Sequence, residues 1–223
     1  MKNNSRPVVI AIDGPAGSGK STISKLIAKR LNLFYVDTGA MYRALTLKAM
    51  RNGADLKDER ALTALAKSTT IDLREDKSIL QVMLDGEDVA PLIRTQDVTN
   101  NIKHIARVPG VRHEMVKLQR EIGRRNGAVL EGRDIGTVVF PDAEYKFYLD
   151  ASLEERAKRR HEEMAAAGER ADLKTLKDDI KLRDESDITR NVGALKRADD
   201  AILIDTTNLA IAEVVEKLLS CMS

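Results

Sequence analysis

The 223-residue chain contains no Trp, and three Phe and four Tyr are all its aromatic residues. Single-stranded nucleic acids are held on stacked aromatic rings, so a partner of that kind is not expected. One cysteine, Cys221, rules out an intrachain disulfide, and its place near the C-terminus argues against a nucleophile with an oriented base. Charge of one sign is missing too. Lys plus Arg total 37 against 35 Asp plus Glu, a net +2 that advertises neither nucleic acid nor membrane. Long apolar runs are absent: Met1 to Arg6 is short and polar, and Val8 to Ile12 behind it is too short for a signal-peptide core or a membrane span. The cytoplasm is the expected compartment. With 43% hydrophobic and 32% charged residues, the composition is that of a globular protein with a substantial core.

What is present alternates. Val8 to Ile12 is β-branched and bounded by Pro7 and Asp13-Gly14, the pattern of a strand buried on both faces. Ile23, Leu26, Ile27 and Leu31 then recur at helical spacing. Phe34 to Val36 leads to a helix around Tyr42 to Met50, closed by Asn52-Gly53. Further strands are expected at Ala128 to Leu130, Tyr145 to Leu149 and Ala201 to Ile204, the last followed by a helix with Ile211, Val214, Val215 and Leu218 on one face. Five strands separated by helices predict an α/β fold, a doubly wound five-stranded parallel sheet. Two stretches interrupt it. Ile71 to Val89 alternates, with turn chemistry at Asp85-Gly86, and reads as a small antiparallel insert. Ser152 to Arg190 is a charge-dense helical hairpin that opens with a Ser152/Glu155 capping box and breaks at Gly168. Its Arg156, Arg159, Arg160, Arg170 and Arg183 are matched by Glu154, Glu155, Glu162 and Glu163, which by composition alone describes a solvated face. No repeat or flexible linker divides the chain, so a single domain is expected.

Gly14-Pro15-Ala16-Gly17-Ser18-Gly19-Lys20-Ser21 matches GxxxxGK[ST] and is followed by Thr22. It lies directly between a buried strand and an amphipathic helix. The glycines permit a path on which successive N–H groups converge on phosphate oxygens, and the helix N-terminus adds its positive end. Lys20 is placed for β- and γ-phosphates and Ser21 for Mg²⁺, which makes nucleotide binding the leading expectation. Kinases, motors and GTPases share such a loop. No Asn-Lys-x-Asp stretch for guanine is present, and the apolar run ending in Asp with which motors hold metal and activate water is not evident; the first strand, Val8 to Asp13, ends in acid but directly precedes the loop. Arginines at turns and helix starts, Arg43, Arg94, Arg112, Arg133 and Arg190, are present instead, suited to bidentate grip on phosphate. They follow different strands and would meet at the carboxyl edge of the sheet. His104, His113 and His161 have no metal-ligand spacing.

Three further stretches carry a resemblance: Asp37-Thr38-Gly39-Ala40-Met41-Tyr42-Arg43, Glu131-Gly132-Arg133-Asp134-Ile135-Gly136-Thr137-Val138-Val139-Phe140-Pro141, and Arg183-Asp184 with Asp187 and Arg190. Together with the loop, and almost end to end, the chain resembles bacterial cytidylate kinases. The resemblance implies a P-loop kinase with a core of about 1–66, 98–151 and 191–223, a monophosphate-binding insert of about 67–97 and a lid of about 152–190. It implies transfer of phosphoryl from ATP, with Mg²⁺, to CMP or dCMP, by a monomer with no nucleic-acid or membrane partner.

Residue by residue, the resemblance gives Arg43, Arg133 and Arg190 to the acceptor phosphate, with Thr38 and Arg183 beside them, and Asp187 to the ribose hydroxyls. Arg112 and Asp134 would read cytosine: a carboxylate accepts from N4 while an arginine donates to N3 and O2. Catalysis would then be positioning and charge stabilisation by Lys20, Arg133 and the lid residues Arg156, Arg159, Arg160 and Arg170. Lys103 stands where the family has a small hydroxyl residue, and Glu131 where it has Asp.

Overall fold

A computed structural model describes residues 7–76, 79–166, 168 and 170–222, so the polar stretch Met1 to Arg6 lies outside the described residues. In chain order the elements are β1 (Val9–Asp13), α1 (Lys20–Leu31), β2 (Phe34–Asp37), α2 (Thr38–Arg51), α3 (Glu59–Lys67), β3 (Ile71–Asp76), β4 (Ile79–Leu84), β5 (Glu87–Asp88), α4 (Gln96–Ala106), α5 (Pro109–Asn126), β6 (Ala128–Gly132), a π-helical turn (Ile135–Val139), β7 (Tyr145–Asp150), α6 (Leu153–Ala166), α7 (Leu173–Ile188), β8 (Ile202–Asp205) and α8 (Ile211–Ser220).

The main sheet is parallel, in the order β2-β6-β1-β7-β8. Central strand β1 is buried throughout. Its pleat sends Val9 and Ala11 into one layer with α2 to α5, and Ile10 and Ile12 into the other with α1 and α8. Each of the valine and isoleucine side chains contributes about 1.5–3 kcal/mol by leaving water. Alternation in β1 thus makes two cores from one strand and places its C-terminal end, Asp13, between them. In-register pairing sets Asp13 beside Gly132 and Tyr148, and Asp37 beside Glu131. The loops that follow these strands therefore emerge together.

Local chemistry explains the element ends. Asp37 caps α2 by accepting from the Ala40 N–H at 2.9 Å, so the helix begins at Thr38 rather than near Tyr42. Asp85 (φ 50°) and Gly86 (φ 93°) make the tight turn between β4 and β5. The insert is tied to α2 by Lys48–Asp85 at 2.7 Å and by Arg51–Glu87 at 2.6 Å. In α1 the buried stripe is Ile23, Ser24, Ile27 and Ala28, while Leu26 and Leu31 are exposed. Small Ser24 and Ala28 let the helix approach the sheet and leave the two leucines on its rim. Ile211 likewise lies exposed at the start of α8, outside the face formed by Val214, Val215 and Leu218. Half of the expected capping box forms: Ser152 Oγ accepts from the Glu155 N–H at 3.2 Å, but the Glu155 carboxylate turns to Arg159 at 3.0 Å. An ion pair with a neighbouring guanidinium wins over the reciprocal cap.

Candidate functional site

The loop between β1 and α1 follows a path that side chains resist. Gly17 and Gly19 have φ of 78° and 87°, and a Cβ at Gly14 would overlap the Leu149 carbonyl oxygen. Gly19 caps α1 without a side-chain bond, so the N–H groups of its first turn face the loop. Inside it the buried Lys20 ammonium donates to the Pro15 carbonyl at 2.5 Å and to Ser18 Oγ at 3.3 Å. Burial, and then the Arg133 and Arg183 charges, pull the Lys20 pKa well down, while Glu131 and Asp13 oppose that shift. Ser21 and Thr22 are exposed on the first turn.

Glu131 sits at the end of β6, buried, where the Tyr35 hydroxyl donates to it at 2.5 Å and the nearby Ser21 hydroxyl favours its charged form. Burial and the nearby Asp37 raise its pKa, and Lys20 lowers it. Thr38 Oγ1 donates to the Glu131 carbonyl at 2.6 Å, joining the start of α2 to β6. The Ser21 hydroxyl and the Glu131 carboxylate thus form a pair of hard oxygen donors at the mouth of the loop.

Arg43, Arg112, Arg133, Arg183 and Arg190 come from α2, α5, α7 and the segments after β6 and α7. Arg133 donates to Asp187 at 2.7 Å, and Arg190 pairs with the other oxygen of the same carboxylate. Arg112, 2% exposed, pairs with Asp134, donates to the Ala106 carbonyl at 3.2 Å and lies over the Tyr42 ring. Asp134 therefore pairs with Arg112, not with adjacent Arg133. Arg183 differs from these. Among the described residues no carboxylate lies within ion-pair distance of it, and burial with Arg133, Arg43 and Arg190 pushes its pKa down to about 9. Arg190 is pushed down to about 10, by burial first and then by Arg112 and Arg133. Arg43 keeps a buried Nε with no partner, and its pKa is lowered by burial. Burial lowers the pKa of all four guanidinium groups and the ammonium, and Arg133 lowers each of the other four further, the electrostatic signature of a pocket shaped for polyanions.

A family model described as cytidylate kinase matches residues 10–223. The chain belongs to the cytidylate kinase family. A cytidylate kinase from Geobacillus sp. (strain WCH70) is 52% identical over 100% of this chain and 98% of its own length. One from Anoxybacillus flavithermus is 51% identical over 96% of this chain and 95% of its own. Among solved structures, an uncharacterized protein from Eubacterium ventriosum shares the fold, with a TM-score of 0.53 at 14% identity over 96% of this chain and 98% of that one.

Within this cytidylate kinase-family fold the α6–α7 hairpin leans on the loop. Arg156 is buried and donates to the Ala16 carbonyl at 3.1 Å and to Asp184 of α7 at 2.5 Å. Arg159 is held by Glu155 and by Thr206 at the end of β8, donating to its carbonyl at 2.6 Å. Arg160 is exposed and bonded to Glu163 of its own helix, and Arg170 is exposed in the connection between the helices. Arg94 is largely exposed and pairs with Asp37 at 3.3 Å, and Lys103 is exposed on α4. Thr206 escaped the sequence reading, and Asp184, quoted there beside Arg183, was given no role, because nothing local in a Thr-Thr turn or a helical acid announces a partner on another segment. Asp13 was visible as an acid closing an apolar strand but was likewise given no role. Among the described residues no group of three His, Cys, Asp or Glu stands close enough to hold a metal, and no helix is long and apolar enough to cross a membrane.

Proposed function

We propose that the chain phosphorylates CMP and dCMP with the γ-phosphoryl group of ATP, giving ADP and CDP or dCDP. The observation that carries this reading is the convergence of Lys20, Arg43, Arg133, Arg183 and Arg190 on one another at the carboxyl edge of the sheet, next to the buried Arg112–Asp134 pair. Mutually repelling buried cations gain most from a phosphate, and the adjacent pair supplies donor and acceptor groups for a base. Family membership supports the same substrate.

The backbone from Gly14 to Thr22 would cradle the donor phosphates, with Lys20 on their β- and γ-oxygens. Mg²⁺ would be held by Ser21 beside Glu131 and by the phosphates, neutralising charge there; hard oxygen donors of this type suit that ion. Arg43, Arg133, Arg183 and Arg190, with Thr38, would hold the acceptor phosphate. Asp187 now occupies Arg133 and Arg190, so an incoming phosphate displaces its carboxylate, which then serves the ribose hydroxyls. Asp134 would accept from cytosine N4 while Arg112 donates to N3 and O2, leaving a wrong base with unpaired buried groups. Phosphoryl transfer asks for alignment and charge stabilisation more than for covalent chemistry, so these groups suffice without a named base. Segment 152–190 would be a lid that excludes water, with Arg156 and Arg159 already seated at the cradle and Arg160 and Arg170 free to follow. Segment 67–97 would wall the acceptor side. A cytoplasmic monomer is the working form.

The test is ADP release from ATP and Mg²⁺ in a coupled assay, without acceptor and then with CMP, dCMP, UMP, AMP and GMP in turn. Release that depends on CMP and dCMP is expected. ADP formed without an acceptor, or only with added RNA, would replace this reading by that of an ATPase.

A further inference from the structure

Asp13 closes β1 and immediately precedes Gly14, yet its carboxylate bonds the backbone of a distant turn. One carboxylate oxygen accepts from the Ile135 N–H at 2.8 Å and the other from the Gly136 N–H at 2.7 Å. These are the first two residues of the π-helical turn behind Arg133-Asp134. The opening N–H groups of any helix lack partners within it, and the residue just before the helix ordinarily supplies an oxygen to them. Asp134 occupies that place here and makes no side-chain cap bond; its carboxylate is turned to Arg112 instead. The cap arrives from another strand. Asp13 is 4% exposed, and burial pushes its pKa up to about 6 against the opposing pull of the two N–H bonds. A carboxylate is rarely kept in such a place unless its hydrogen bonds serve a purpose.

We propose that Asp13 is a positioning residue for acceptor recognition: by capping the Ile135–Val139 turn from β1, it releases Asp134 to pair with Arg112 and face the base. The inference rests on Asp134 reading cytosine. It also links the two subsites, because the residue before the donor cradle fixes the turn that follows the acceptor arginine Arg133. Without the cap, the two N–H groups are satisfied most simply by Asp134 turning back onto them, which strips it from Arg112.

The experiment is a double-mutant cycle on CMP and ATP binding by calorimetry, with Asp13→Asn, Asp134→Asn and both together. An asparagine retains one acceptor oxygen and sets an amide N–H₂ against the other donor. Expected is about a tenfold weaker CMP affinity for Asp13→Asn, less than about a twofold change for ATP, and almost no further loss when Asp13→Asn is added to Asp134→Asn. Equal losses for CMP and ATP, or additive effects across the cycle, would overturn the proposal. If Asp13→Asn does not fold, the wild-type protein gives a second readout with cytidine, whose lack of phosphate removes that titration. The charged and titratable groups that face Asp13 are Asp134 and Arg133 from the turn, Lys20 from the cradle and Tyr148 from β7. Protonating Asp13 removes one acceptor, so cytidine binding should weaken about threefold or more from about pH 7.5 to about pH 5.5, with adenosine unchanged. In Asp134→Asn the cytidine dependence should vanish; a profile unchanged in that variant would overturn the proposal. A wild-type protein that binds neither CMP nor cytidine would defeat the proposed function itself, which is a different outcome from an additive cycle.

Discussion

The cradle after β1 and the arginine pocket beside it share one sheet edge but are made of different material. Backbone N–H groups, three glycines and one lysine make the cradle from consecutive residues, Gly14 to Ser21. Side chains from α2, α5, α7 and the segments around them make the pocket, with Asp187 spread over two of its arginines and Asp134 over a third. A backbone cradle holds its shape whatever is bound. On the proposed reading, a side-chain pocket that carries its own acids has to exchange them for substrate, so acceptor affinity would be a difference between two sets of ion pairs. That difference gives a hierarchy of mutational effects.

The largest effect should fall on the cradle, where one side chain has no understudy. Lys20→Ala is expected to lower kcat by about 10²- to 10³-fold, the loss typical of one preorganised charge donor. Its bonds reach only the adjacent Pro15 carbonyl and Ser18, so thermal stability should change little. ADP-release kinetics alongside a melting curve check both halves, and an active variant would remove the loop from the mechanism. In the pocket the losses should be graded by what each arginine gives up. Among the described residues Arg183 has no ion-paired carboxylate to leave, so Arg183→Ala should raise the KM for CMP about 10- to 100-fold, within the range for a charge-assisted hydrogen bond. Arg190 must first leave Asp187, so Arg190→Ala should raise it by roughly tenfold or less. For both variants the KM for ATP should move far less. Equal KM rises for CMP and ATP would reassign the residue to the donor side, and a larger effect for Arg190→Ala than for Arg183→Ala would break the exchange argument.

The same contrast governs what could be read from the chain before folding. The five-stranded sheet, its strand positions and the antiparallel insert were legible because each rests on local pattern: a β-branched run, a helical stripe, an Asp85-Gly86 turn. The cradle was legible for the same reason. Family resemblance then named Arg43, Arg112, Arg133, Asp134, Arg183, Asp187 and Arg190, and the fold brings those seven together. Local pattern could not reveal their pairings. That Asp134 bonds Arg112 rather than its neighbour Arg133, or that Thr206 holds Arg159, depends on segments separated by β-strands and helices. Nor did apolar spacing distinguish Leu26 and Leu31 from Ile23 and Ile27, because the width of a buried stripe is set by the sheet it meets.

A smaller effect separates backbone strain from pocket geometry. Gly193 and Gly53 have nearly the same left-handed φ, 65° and 60°. A Cβ at Gly53 meets nothing within 4 Å, whereas one at Gly193 would overlap Arg112 and Asp134. Replacing either by alanine should cost about 1 kcal/mol or more of stability through the backbone. Only Gly193→Ala should also raise the KM for CMP, severalfold, by forcing the base-facing pair apart. Matched kinetics for the two variants would show that segment 191–195 does not bear on the pair.

The smallest effect belongs to the exposed end of the hairpin, and it tests whether this part of the structure moves. Arg156 and Arg159 already reach the cradle and β8, whereas Arg160 bonds Glu163 in solvent, a contact worth about 0–1 kcal/mol. If α6 stays as it stands, Arg160→Ala should change kcat by less than about twofold, because its charge never meets the transferring phosphoryl. A tenfold fall, with the KM values for ATP and CMP unchanged, would correspond to about 1.4 kcal/mol felt only in the transition state. That pattern would require the hairpin to rotate until Arg160 faces the cradle, and it would extend to α6 the exchange proposed at Asp187: an arginine held by an internal acid at rest and surrendered to phosphate during turnover.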